Sequence, residues 1–200
     1  GTYLTCEENF NNYFSSSDKN FKSTDELHRY GIRTREIGLN WAKADSRFDL
    51  SKEVNEPNKV GYVVEIDPLN PNSTPKKHTA LGRFKHENAE LVISKDGKIV
   101  VYMGDDERGE YLYKYVSNKS INEVKDKSTL LSDGNLFAGK FNDNFTGEWL
   151  LLDTQTTGFS SKAEVCIFTR IAASKVGATT MDRPEWIASN PRKNEVCCCL

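Results

Sequence analysis

Histidine is scarce in this chain: His28, His78 and His86 are the only three in 200 residues. No two are spaced as a zinc-binding pair, so a histidine-built zinc site is excluded. No glycine-rich phosphate loop and no Gly-x-Ser-x-Gly elbow occurs, which removes P-loop enzymes and serine hydrolases of the elbow type. Positive charge is not in surplus: 27 Lys and Arg against 29 Asp and Glu leave a formal charge of −2, with a pI near 6.0. Nothing electrostatic therefore points to nucleic acid or to an anionic membrane surface. No apolar run approaches the ~20 residues that span a bilayer. Five cysteines are too few for a disulfide framework in a chain of this length. Cys197–Leu200 has the outline of a prenylation box, but its middle residues are not aliphatic and no basic stretch precedes it. A strand is the better reading of that segment.

What remains is the composition of a globular protein, with 37% apolar and 28% charged residues and a mean hydropathy of −0.63. The chain begins and ends inside segments that read as strands, Gly1–Cys6 and Val196–Leu200. That pattern is expected of an internal piece of a longer domain. Residues 11–29 are polar and suggest a loop or short helix. Strand signals follow. Val60–Ile66 is β-branched and aromatic and stops at the turn formers Asp67–Asn72. Leu91–Ser94 and Ile99–Met103 flank Asp96-Gly97, a hairpin signature. Tyr111–Val116 makes a further strand, Leu130–Phe141 reads as a pair around Asp133-Gly134, and Trp149–Leu152 as another strand. Arg170–Val176, with Gly177 as its cap, is the one clear helix. Strands at this spacing predict an all-β, antiparallel meander of the sandwich or propeller kind.

Segments dense in hard-cation donors stand out. In Cys6-Glu7-Glu8, an extended backbone puts Cys6 and Glu8 on one face and Glu7 on the other. A thiolate beside a carboxylate suits a transition metal better than calcium alone; a buried thiol beside solvated acids is the plainer reading of the segment by itself. A second segment is Arg83-Phe84-Lys85-His86-Glu87. A third is Met181-Asp182-Arg183-Pro184-Glu185-Trp186, where Pro184 favours an extended Arg183 whose side chain shares a side with Glu185. Arg183 could then clamp phosphate through its planar fork, or form a surface ion pair beside a packed Trp186. Gly104–Arg108 is an acidic turn, and Asn55–Asn58 is oxygen-rich enough for calcium. Residues 142–153 follow EF-hand spacing loosely but lack its terminal Glu. Asn72, Asn118 and Asn144 begin glycosylation sequons that carry little weight in an Asn-rich chain.

Taken in order, these blocks are more specific than any one alone. Thr5-Cys6-Glu7-Glu8, Gly61–Pro68, Thr79–Glu87, Tyr102–Arg108 and Met181–Ala188 together resemble the PhoX-type alkaline phosphatases, from Thr2 to about Val196. The resemblance implies a six-bladed β-propeller with short helical insertions, of which residues 1–200 would be a single partial domain. It implies a periplasmic or secreted metal-dependent phosphatase acting on small phosphate esters, chiefly monoesters with some diesters. The implied cofactor is a mixed iron–calcium cluster. Cys6 would ligate iron, Glu87 and Glu185 would be metal ligands, and Arg183 would contact phosphate. Glu8, Glu56 and Asp105 stand as further calcium ligands or supporting carboxylates. The rival readings are a non-catalytic ligand-binding propeller and a calcium-dependent, lactonase-like hydrolase. Cys6 separates the lactonase-like reading from the phosphatase, because a calcium-only site has no use for a thiolate.

Overall fold

The computed structural model describes every residue from Gly1 to Leu200. The chain forms two compact units, one of Asn9–Gly61 and one of Gly1–Glu8 with Tyr62–Leu200. Asn9–Gly61 holds an aromatic cluster of its own: the Tyr13 ring stacks on Trp41 at 4.7 Å, and Trp41 meets Phe48 edge-on at 5.0 Å. Its helices are short, α1 (Asp25–Arg29) and α2 (Trp41–Ala44). Thr24 caps α1 by accepting a hydrogen bond from the Leu27 N–H.

The larger unit is built on antiparallel strands. β1 (Tyr3–Cys6), β2 (Val63–Ile66) and β3 (Lys76–Lys77) form a small sheet in that order. The principal sheet has five strands: β4 (Glu90–Ile93), β5 (Lys98–Gly104), then past the short β6 (Arg108–Glu110), β7 (Leu112–Ser120), β8 (Gly134–Phe141) and β9 (Gly147–Leu152). Their spatial order follows the chain, β4-β5-β7-β8-β9, which is the expected meander. Asp96-Gly97 does make the β4–β5 turn, with Gly97 at φ +81°, a conformation that costs glycine little. β10 (Met181–Asp182) pairs with β6, and β11 (Ile187–Ser189) with β12 (Val196–Cys198). All five cysteines are free thiols.

The period-2 pattern explains the core. Ile99, Val101 and Met103 of β5, Tyr113 and Tyr115 of β7, Leu136 and Ala138 of β8, and Leu152 of β9 are buried in one cluster. Against it pack Val165 of α4 (Lys162–Ile167) and Ala172 and Ala173 of α5 (Thr169–Val176), which follow the single turn α3 (Thr154–Thr157). Gly177 ends α5 at φ +76°, as its position in the sequence indicates.

One expected hairpin is absent. Residues 130–141 do not fold back on themselves. Lys127–Leu131 is a 3-10 turn capped by Asp126, and only Gly134–Phe141 is strand. Leu130 and Leu131 are core residues rather than half of a ladder. Gly134 serves close packing instead of a turn, since a Cβ there would lie 2.4 Å from Cζ of Tyr115. The Tyr115 hydroxyl completes this corner by donating to the Leu130 carbonyl at 2.7 Å. Tyr115→Phe should therefore cost about 1–2 kcal/mol, as a buried carbonyl loses its donor. Urea unfolding of the substituted protein measures that loss.

Candidate metal and phosphate site

The site lies in the larger unit, and strand ends build it. Antiparallel pairing of β1 with β2 sets Cys6 opposite Val63 and carries the chain out to Glu8. Glu7 takes the other side, where its carboxylate accepts from the Tyr62 N–H at 3.1 Å and pairs with Lys77 at 2.7 Å. The alternation expected from Cys6-Glu7-Glu8 is therefore the one observed. Glu87 leaves the 3-10 turn Thr79–Leu81 through a buried run. Phe84 stacks on His86 at 3.7 Å and on Tyr113 at 4.2 Å. His86 N–H donates to the Gly82 carbonyl, and complete burial pushes its pKa down to about 3, so it is a neutral wedge and not a ligand for protons at working pH.

Asp106 comes from the turn after β5. Glu8, Glu87 and Asp106 offer carboxylate oxygens that all lie within 4.8 Å of one another. Like charges at that distance oppose ionisation. The Glu87 pKa is raised, first by burial and then by Glu8 and Asp106, and Glu87 shares a hydrogen bond with Glu8. The half-buried Cys6 thiol feels the same field. Burial, then Glu87 and Glu8, push it up to about 12. A thiol and carboxylates that resist ionisation together become compatible once a cation sits among them. The donor set fits this description: sulfur for a transition ion, several carboxylate oxygens for a hard one.

Arg183 and Glu185 supply the remaining edge. Arg183 Nε and Nη2 reach the two oxygens of Asp106 at 2.8 and 3.0 Å. Nη2 also meets Glu185 at 2.8 Å. The shared side expected of Arg183 and Glu185 is real, but the extended backbone is not: Arg183 has φ +60°. A left-handed residue before proline is unfavourable, and here it accompanies a guanidinium that meets two carboxylates. Trp186, expected to be packed, is exposed.

Two other expected residues have other partners. Asp105 is wholly buried and gives both oxygens to Arg170, so the cluster takes its neighbour Asp106 instead. Glu56 opens a 3-10 turn in the Asn9–Gly61 unit and pairs with Lys59 at 2.6 Å. Asn88 went unmarked in the sequence. Its buried amide bonds both the N–H and the C=O of Ile187, tying the Glu87 segment to β11. Only its place beside Glu87 could have flagged it.

The model of the family "Alkaline phosphatase PhoX" matches residues 1–200. Among solved structures, Pseudomonas fluorescens PhoX in complex with vanadate, described as a transition state analogue, is similar at 48% identity and a TM-score of 0.92. The match covers 99% of this chain and 37% of that one. No curated protein matches. The ordered blocks, the fold and the match along the whole chain agree: this chain belongs to the PhoX alkaline phosphatase family.

Proposed function

We propose that the full-length protein is a metal-dependent phosphatase that hydrolyses phosphate monoesters, with some diesters, and releases inorganic phosphate. The observation that carries this reading is the convergence of Glu8, Glu87 and Asp106, with Cys6 near enough to feel the charges of Glu87 and Glu8 and with Arg183 at the edge. In this reading Cys6 would ligate iron, Glu87 and Glu185 would be metal ligands, and Glu8 and Asp106 would be calcium ligands or supporting carboxylates. Asp105 acts as support through Arg170, and Glu56 stays with Lys59. When bound, the metals supply positive charge against the phosphate oxygens. Arg183 presents a planar fork to the transferring group. Its present partners, Asp106 and Glu185, keep that fork at the rim of the carboxylates. The vanadate held by the P. fluorescens protein is consistent with a site for a phosphoryl group in transit.

The same reading takes the chain as part of a six-bladed propeller. The chain-ordered antiparallel meander supports that reading, since propeller blades are meanders of four strands, one fewer than this sheet holds. It also takes the protein as periplasmic or secreted; no helix here is long and apolar enough to cross a membrane. A calcium-only hydrolase has no use for the thiol of Cys6 beside Glu8 and Glu87.

Metal analysis of the purified full-length protein, with a chromogenic phosphate ester assayed before and after chelation, tests the proposal. Iron and calcium should co-purify. Activity should vanish on chelation and return with added metal. Calcium alone with no phosphatase activity would favour the lactonase-type reading, and neither metal would favour a binding module.

A further inference from the structure

Arg170 is bonded to Asp105, the neighbour of Asp106, at a point between the segments that carry Glu87 and Asp106. It lies in the first turn of α5 and is 1% exposed. Its Nε and Nη2 donate to the two oxygens of the buried Asp105 at 2.7 and 2.6 Å, and Nε lies 3.8 Å from Glu110. The bond does not end at Asp105. The same Asp105 Oδ1 accepts the Lys85 N–H at 3.2 Å, and the Asp106 N–H donates to the Lys85 carbonyl at 3.0 Å. A bridge between His86 and Asp105 joins the two backbones at that point. Lys85 precedes Glu87 by two residues, and Asp106 follows Asp105 directly. Arg170 thus grips a junction between the Glu87 segment and the Asp106 segment, beside the Lys85–Glu107 ion pair that also joins them.

The preceding residue does the same from another direction. The Thr169 hydroxyl accepts the Arg83 N–H at 3.0 Å, and Arg83 Nη1 donates to the Ile167 carbonyl at 3.2 Å. The start of α5 is therefore a buried clamp on residues 83–85 and 105. A buried cation is costly, and removing one partner of such a pair is severe. An apolar helix face would satisfy the core equally well, so packing alone gives no reason for a guanidinium here.

We propose that Arg170 is a positioning residue, which sets the separation of the Glu87 and Asp106 carboxylates through Asp105 and so sets cation affinity. This rests on the metal-site reading above. The test uses full-length protein, stripped with chelator and titrated calorimetrically with calcium chloride. Arg170→Lys keeps the charge but loses the fork that spans both Asp105 oxygens. Its calcium dissociation constant should rise about 10- to 100-fold, the range for groups that orient metal ligands. A merely structural Arg170 would instead lower the melting temperature of the calcium-free protein while the calcium constant stayed at the parent value; that result overturns the proposal. If Arg170→Lys does not fold, Asp105→Asn carries the same test with the same two outcomes. Failure of the unsubstituted protein to bind calcium would instead remove the metal-site reading itself.

Discussion

Cys6→Ser in the full-length protein should abolish iron binding and lower phosphatase activity by at least about a hundredfold, the order lost when a group that stabilises developing charge is removed from an active site. The substitution is close to isosteric and leaves the β1–β2 pairing of residues 3–6 with 63–66 intact. A fold defect is therefore not the expected cause. What changes is the donor. A thiolate is a good ligand for iron, and a neutral alcohol is a poor one. The thiol pays for its position, since burial and the charges of Glu87 and Glu8 push it up to about 12. At neutral pH it is protonated in the metal-free protein and in the unfolded chain alike, so it adds no pH dependence to folding there. Between the ordinary thiol value near 9 and about 12, the metal-free fold loses stability as pH rises, because the unfolded chain releases the proton first. Metal loading runs the other way. The proton must leave for the sulfur to bind, so affinity should increase with pH, and Cys6→Ser should flatten that increase. Iron content by elemental analysis and affinity across pH 6–9, a range of about three units around neutrality, decide it. Parent levels of iron and activity in the serine protein would take Cys6 out of the site.

The strands were legible because one face of the principal sheet is buried and the other is only partly so, which forces alternation along β5, β7 and β8. The site was legible differently. Cys6, Glu87, Arg183 and Glu185 stand out as blocks in a recognisable order, not by any local rule. Local rules broke where tertiary contacts overrode them. Asp105 and Asp106 are chemically identical neighbours, and which one faces the cluster depends on Arg170, a helix residue 65 positions away from Asp105. Pro184 argues for an extended Arg183, but its φ is +60° and its guanidinium meets Asp106 and Glu185. Asp133-Gly134 has the letters of a turn, and Tyr115 makes it a packing site. Each failure marks a place where a distant charged or aromatic side chain supplied the deciding energy.

Gly104→Ala should be the most damaging single-methyl change in the larger unit, costing about 3 kcal/mol or more. A Cβ at this position would lie 2.2 Å from the Pro184 carbonyl oxygen and 2.6 Å from that of Glu185. Both obstacles are backbone, so no rotamer change relieves them. The strand end of β5 and the 184–185 segment must separate. That separation also acts on the site, because Gly104 stands two residues before Asp106, while Pro184 lies between Arg183 and Glu185. The salt bridges from Arg183 to Asp106 and Glu185 join the very segments a methyl would drive apart. Stability and calcium affinity should therefore fall together. Gly109→Ala is the control. It has a positive φ of 78° but open space around a Cβ, so it should carry only the cost of a left-handed alanine, about 1–2 kcal/mol. Denaturant unfolding and calcium titration of both proteins separate the two effects. If Gly104→Ala proves no worse than Gly109→Ala, the close approach of β5 to residues 184–185 does not hold the site together.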